Sequence, residues 1–166
     1  MTDKMKAYDF HPIASVFPMI EGVAFRLLVD DVARNGLEQP VVLYEGQILD
    51  GRNRYLACRE AQRKAEYIEY EGDDPLGFVV SHNLHRRHLS ESQRAMIAES
   101  LATLEPGRPE FVAGKQAFSQ DQAADMMHVS RDSVQKARVV RRRGSPEVVQ
   151  TVVAGAMTVA AAAPLT

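Results

Sequence analysis

The sequence predicts an α+β fold: a small α/β lobe over residues 1–105 followed by an all-helical lobe over residues 106–166. Three observations predict it. Two short strand-like runs, Val41 to Tyr44 and Gln47 to Asp50, flank the loop pair Glu45-Gly46 and lead into a helical pattern at Gly51. Beyond Ser90 the regular segments all read as helices, four of them opened by a serine cap at Ser90, Ser119, Ser130 and Ser145. Charge divides the same way. Residues 1–105 carry 12 Lys and Arg against 17 Asp and Glu, a net of −5, and residues 106–166 carry 8 against 5, a net of +3.

Composition narrows the class. Of 166 residues, 45% are hydrophobic, enough for a packed core and against wholesale disorder. The single cysteine, Cys58, allows no intrachain disulfide and fits a reducing cytoplasm. Met1 to Tyr8 lacks the apolar core of a signal peptide. No apolar run spans a bilayer, and the nearest, Val152 to Leu165, is short and alanine-rich. No membrane partner is expected. The basic back half is the part expected to meet nucleic acid.

Taken in order, residues 1–20 give little beyond extended backbone at His11-Pro12 and Phe17-Pro18. Glu21 to Asn35 reads as a helix whose buried face is Phe25, Leu28, Val29 and Val32, stopped by Asn35-Gly36. The Val41 and Gln47 strands follow, joined by a loop in which Gly46 supplies positive φ. The next helix runs from Gly51 to about Gln62, with Cys58 as a core residue, and Ala65 to Tyr70 reads as a third strand. Asp74-Pro75 caps a helix to about His85.

Gly51 opens its helix where the absent Cβ lets a ligand approach the backbone. The first amides of a helix lack internal partners and attract anions. Arg52 and Arg54 lie in that turn, and arginine suits bidentate phosphate binding. The residues alone fit a phosphate cradle, but a Gly-x-x-Arg match is common, and on spacing alone an ordinary strand–helix junction with two solvated arginines is the better reading. Further on, His85 and His88 share a face, but no carboxylate or cysteine joins them and Arg86 and Arg87 repel a cation. That cluster suits a polyanion or a solvated basic helix end.

Ser90 and Gln93 form a capping box for a helix to Leu104, with Ile97, Leu101 and Leu104 on its core face. Glu105 to Phe118, with Pro106-Gly107, Pro109 and Gly114, reads as a connection between lobes. Ser119 and Gln122 form a second capping box. A short break at His128-Val129-Ser130 precedes a helix containing Val134, Ala137 and Val140. Ala124, His128 and Val134 follow a helix-turn-helix pattern, with His128 where glycine is usual. Ser130 caps the second helix at the DNA-binding end, and the helix offers Arg131, Asp132 and Gln135 toward DNA bases and Lys136 with Arg141, Arg142 and Arg143 toward the backbone. Ser145-Pro146-Glu147 caps a further helix, and Gly155 precedes a last alanine-rich segment.

Several of these stretches resemble the ParB and sulfiredoxin superfamily, over about residues 12–163. Gly51 to Tyr55 resembles its Gly-x-x-Arg-Tyr phosphate turn. Asn35 to Pro40 resembles the segment that meets the nucleotide base and sugar, which implies a role for Gln39. His82 to Arg86 aligns with the ParB motif Glu-Asn-x-x-Arg, which implies that Asn83 and Arg86 lie against the triphosphate and its Mg²⁺. His82 stands at the family's Glu, and a histidine does not replace a carboxylate on Mg²⁺, so at most weak CTP hydrolysis is implied. Gly144 to Glu147 resembles the ParB DNA-binding region. The resemblance implies a nucleoid- or plasmid-associated DNA-binding protein in DNA partition or transcription regulation. CTP, or another nucleotide, with Mg²⁺ would switch its DNA binding or its homodimer state. The family's C-terminal dimerisation domain has no counterpart here, which implies a fragment or a different mode of dimerisation.

Other branches stand behind that reading. Asp50-Gly-x-x-Arg-Tyr is similar to the free-serine kinase branch, which makes a phosphotransferase an alternative, as is a nuclease. Sulfiredoxin chemistry is set aside because its cysteine falls at Arg52. No catalytic or metal-ligating residue is assigned.

Overall fold

The structure, a computed structural model, describes residues 7–86, 89–103 and 118–166. Its fold is α+β. The chain divides into two compact units, Met1–Val79 and Val80–Thr166.

The first unit is built on a three-stranded sheet of order β2-β1-β3. β1 (Val41–Tyr44) and β2 (Gln47–Asp50) form an antiparallel hairpin in which Tyr44 faces Gln47. Its two loop residues, Glu45 and Gly46, have φ of 51° and 76°, the left-handed pair that matches strand twist. β3 (Tyr67–Glu69) pairs in parallel with β1, and two backbone bonds extend the pairing to Glu66 and Tyr70. The central strand β1 is therefore apolar on both faces, with Val41, Val42 and Leu43 all buried.

The N-terminal segment, from which the sequence gives little, adds to this sheet. Phe10 bridges Ile48 in parallel: the His11 amide donates to the Ile48 carbonyl at 2.9 Å and the Ile48 amide to that of Asp9 at 2.8 Å. A 3-10 helix, Pro12–Val16, follows, and buries Ile13, Ala14 and Val16.

α1 (Gly22–Asn35) packs beside α2 (Arg52–Glu60) over a core of Val32, Val41, Leu43, Ile48, Tyr55, Ala57, Cys58 and Ala65. Of the expected face of α1 only Val32 is fully buried, and Phe25, Leu28 and Val29 flank the core. Burial raises the pKa of the Cys58 thiol, so this cysteine behaves as a small apolar core residue. α2 stops at a left-handed Gln62, where the Arg63 amide donates back to the Cys58 carbonyl at 2.9 Å. α3 (Pro75–Arg86) starts where the Asp74 carboxylate accepts from the Gly77 amide at 3.1 Å.

The second unit contains α4 (Glu91–Ala102), α5 (Gln120–Met126), α6 (Arg131–Arg143), α7 (Pro146–Val153) and α8 (Val159–Ala162). Both expected capping boxes form, Ser90 with Gln93 and Ser119 with Gln122. Ala95 and Met96 of α4 share one core with Ala137 and Val140 of α6, Val152 of α7 and Val159 and Ala162 of α8. α4 thus packs with the helices that follow it, and the two compact units meet in sequence between Val79 and Val80. The physical reason is the buried alanine-rich face of α4, which matches the small residues of α6. Leu104 and the rest of the expected connection up to residue 117 lie outside the described residues, as do Arg87 and His88.

Candidate functional site

In the first unit the candidate residues gather at the start of α2. Gly51 is its N-cap with φ 93°, a conformation that disfavours any side chain, and no side chain caps the helix there. The Arg54 guanidinium folds back over this glycine; a Cβ on Gly51 would lie 2.9 Å from Arg54 Nη2. Arg54 Nη2 donates to the Asp50 carboxylate and to the Pro40 carbonyl, each at 3.1 Å. Arg52 donates from Nη2 to the Phe17 carbonyl at 2.5 Å and from Nη1 to Ser15 Oγ at 3.3 Å, and stacks over the Phe10 ring. Asn53 Oδ1 accepts from the Ile20 amide at 3.0 Å.

The first turn of α2 therefore holds the chain on both sides of α1: residues 15–20 through Arg52 and Asn53, and Pro40 through Arg54. Neither arginine is the solvated side chain of an ordinary junction. The start of α2 has no side-chain cap, and the space over Gly51 is taken by the Arg54 guanidinium. The arginines would join a phosphate there only by exchanging their present carbonyl acceptors. Asn53 was missed by sequence reasoning; its place between two arginines of a helix start was the available signal.

Gln39 lies exposed in the loop before β1. His82 and Asn83 are half-buried on α3, which ends at Arg86, whose side chain lies outside the described residues together with that of His85. Gln39, Gly51, Arg52 and Arg54 belong to the first unit, and Asn83 and Arg86 to the second. Among the described residues no group of three His, Cys, Asp or Glu can hold a metal ion.

In the second unit, α5 and α6 are joined by a tight turn. His128 adopts φ 51°, the Val129 amide donates to the Ala124 carbonyl at 3.0 Å, and the His128 amide to that of Asp125 at 3.1 Å. This bonding pair closes a helix through a left-handed residue, the conformation for which glycine is usual. Val134, Ala137 and Val140 bury one face of α6 and leave the opposite face to solvent.

The candidate DNA contacts divide by their partners. Ser130 caps α6, its Oγ accepting from the Ser133 amide at 3.0 Å, and Ser133 Oγ donates to the Glu91 carboxylate at 2.8 Å. Arg131 Nε lies 3.4 Å from Asp121 Oδ1, and Lys136 Nζ lies 2.6 Å from Asp132 Oδ2. Gln135, Arg142 and Arg143 are exposed, and Arg142 and Arg143 take no ion pair among the described residues. Arg141 departs from the expected role. Its guanidinium turns onto α4, where Nη2 donates to Ser100 Oγ at 2.7 Å and to the Met96 carbonyl at 3.2 Å. Its Nε lies 2.5 Å from the buried Glu99 carboxylate. Glu99 is a second residue missed by sequence reasoning, a lone acid three positions beyond Met96 on the core face.

No protein-family model matches the chain, and no curated protein matches it. Among solved structures it is similar to C-terminally truncated chromosome-partitioning protein ParB from Caulobacter crescentus. The structure complexed with CTP-γ-S is 20% identical, with 92% of each chain covered and a TM-score of 0.37. The structure complexed to the centromeric parS site is 17% identical, with 93% of this chain and 96% of that chain covered and a TM-score of 0.38. No described helix is long and apolar enough to cross a membrane.

Proposed function

We propose that this chain is a ParB-like DNA-binding protein in which α5 and α6 act as a helix-turn-helix and the first unit binds a nucleotide, CTP foremost, that switches DNA binding or the homodimer state. The observation that carries the reading is the two-sided character of α6: Val134, Ala137 and Val140 fix one face in the core, while Arg131, Asp132, Gln135, Lys136, Arg142 and Arg143 leave the other polar and accessible. A helix so held can offer its N-terminal residues to base edges and its basic end to phosphates. DNA partition and transcription regulation are the roles this reading serves.

The nucleotide part is supported by the uncapped α2 turn at Gly51 and by the resemblance of Gly51 to Tyr55 to the superfamily's phosphate turn; Asn83 and Arg86, which resemble its second phosphate motif, belong to the second unit. When bound, the Mg²⁺-nucleotide supplies a compact polyanion. Backbone amides of α2 receive it, and Arg54 would exchange the Pro40 carbonyl for it. With His82 at the motif's acidic position, the reading is binding with little turnover.

Calorimetric titration of CTP, ATP and GTP with Mg²⁺, with and without duplex DNA, tests the proposal. CTP binding that is lost in Arg54→Lys, and that alters DNA affinity or oligomeric state, supports it. Nucleotide binding without either effect removes the switch. No binding of any nucleotide leaves a DNA-binding protein with a scaffold unit.

A further inference from the structure

We infer that Asp121 is a specificity-determining residue: by pairing with Arg131 it withholds that guanidinium from DNA whose sequence offers no better partner. The inference rests on the DNA-binding reading above and concerns the same helix. Arg131 opens α6, and Asp121 lies in the first turn of α5. The two side chains, 3.4 Å apart, are 71% and 62% exposed, so the pair stands in water rather than in the core.

Such a pair is weak and screened by salt, so a ligand can take Arg131 from it. What kind of ligand decides the outcome. Phosphate contacts are offered by every duplex, whereas the N7 and O6 of guanine offer the guanidinium two acceptors at once only where the sequence provides them. A carboxylate beside Arg131 cancels its long-range pull on phosphates and would itself be repelled by them. It is the repulsive element that discrimination between partners requires.

The rest of the helix follows the same division. Lys136 is countered by Asp132 at 2.6 Å. Arg142 and Arg143, at the other end, take no ion pair among the described residues. Sequence-independent attraction is thereby concentrated at the C-terminal end of α6, while the end that would meet base edges is near neutral.

Four proteins test the assignment: wild type, Asp121→Asn, Arg131→Ala and the double variant. Each is titrated across a salt series against random-sequence duplex and against the tightest duplex that wild type selects in vitro. The Asp121→Asn change is nearly isosteric at an exposed site and leaves the Ser119–Gln122 capping box intact. The Asp121→Asn protein is expected to bind random duplex about tenfold tighter, with a salt slope steeper by about one. Its gain on the selected duplex is smaller, and the gain vanishes when Arg131 is replaced by alanine. An unchanged affinity for random duplex, or a gain that survives Arg131→Ala, overturns the assignment while DNA binding stands. A wild-type protein that binds no duplex overturns the DNA reading and the assignment with it.

Discussion

The guanidinium of Arg141 on α6 lies 2.5 Å from the carboxylate of Glu99 on α4, and Glu99 is only 2% exposed. The same arginine reaches Ser100 Oγ and the Met96 carbonyl, so three groups of α4 hold one residue of α6. Burial pushes the Glu99 pKa up, against the opposing pull of Arg141 and its neighbours Arg138 and Arg142. Burial wins because the carboxylate is enclosed while Arg141 is 39% exposed and shares its charge with water.

A pH dependence follows, with a sign opposite to that of most paired carboxylates. A raised folded pKa means that the native state holds its proton more tightly than the unfolded state. The contribution is fully present below the unfolded value and declines as pH rises through the folded one. Unfolding free energy measured in urea at pH 4 to 8 should show this as a fall with rising pH in wild type relative to Glu99→Gln. The variant should cost about 2 kcal/mol or less at neutral pH, since Arg141 keeps two acceptors. A difference independent of pH would show that Glu99 titrates normally.

The salt dependence of DNA binding should assign the basic run. Replacing Arg142 and Arg143 with Ala is expected to flatten the slope by about two units, at roughly 0.9 per phosphate neutralised. Arg141→Ala should lower stability and leave the slope within error. A slope that Arg141→Ala flattens by half as much as the double replacement would remove the distinction drawn from the Glu99 contact.

The turn before α6 offers a gain in stability. His128 is exposed at φ 51°, where an L residue is disfavoured and glycine is not. His128→Gly should raise unfolding free energy by about 0.5 kcal/mol, readable as a small rise in Tm. A fall would mean that the imidazole makes a contact worth more than the backbone relief.

Gly51→Ala tests the start of α2 from the other direction. With φ at 93° and Arg54 Nη2 2.9 Å from the added Cβ, the variant should lose about 1–3 kcal/mol of stability. Hydrogen exchange should rise first at residues 15–20 and 37–40, which Arg52, Asn53 and Arg54 hold. Exchange that rises uniformly would show that the turn does not act on those segments in particular.

Much of the fold was legible because its signals are local. The Glu45-Gly46 hairpin, the Asp74 cap and both capping boxes depend on residues three or four apart. The unit to which α4 belongs was not legible, because nothing local says which neighbour a buried alanine face meets; Ala95 and Ala137 are matched only in three dimensions. The N-terminal strand pairing was hidden for the same reason, since Phe10 meets Ile48 through backbone bonds that carry no side-chain signature. Site residue types were readable, but not their partners. Arg52 and Arg141 look from sequence like free cations, yet they bind carbonyls and, for Arg141, a buried acid.

The shared core of α4 and α6 also changes what a break in the chain would mean. The helices on either side of residues 104–117, α4 and α5, belong to one compact unit, so cleavage there would cut a connection without dividing a core. Ala95 and Met96 would still lie against Ala137 and Val140, with Glu99 on Arg141 and Gln93 on the Val153 carbonyl. The nicked protein is then a two-piece assembly held by packing, which melts in a manner that depends on its concentration. A chain begun at residue 106 would lack one wall of its own interior.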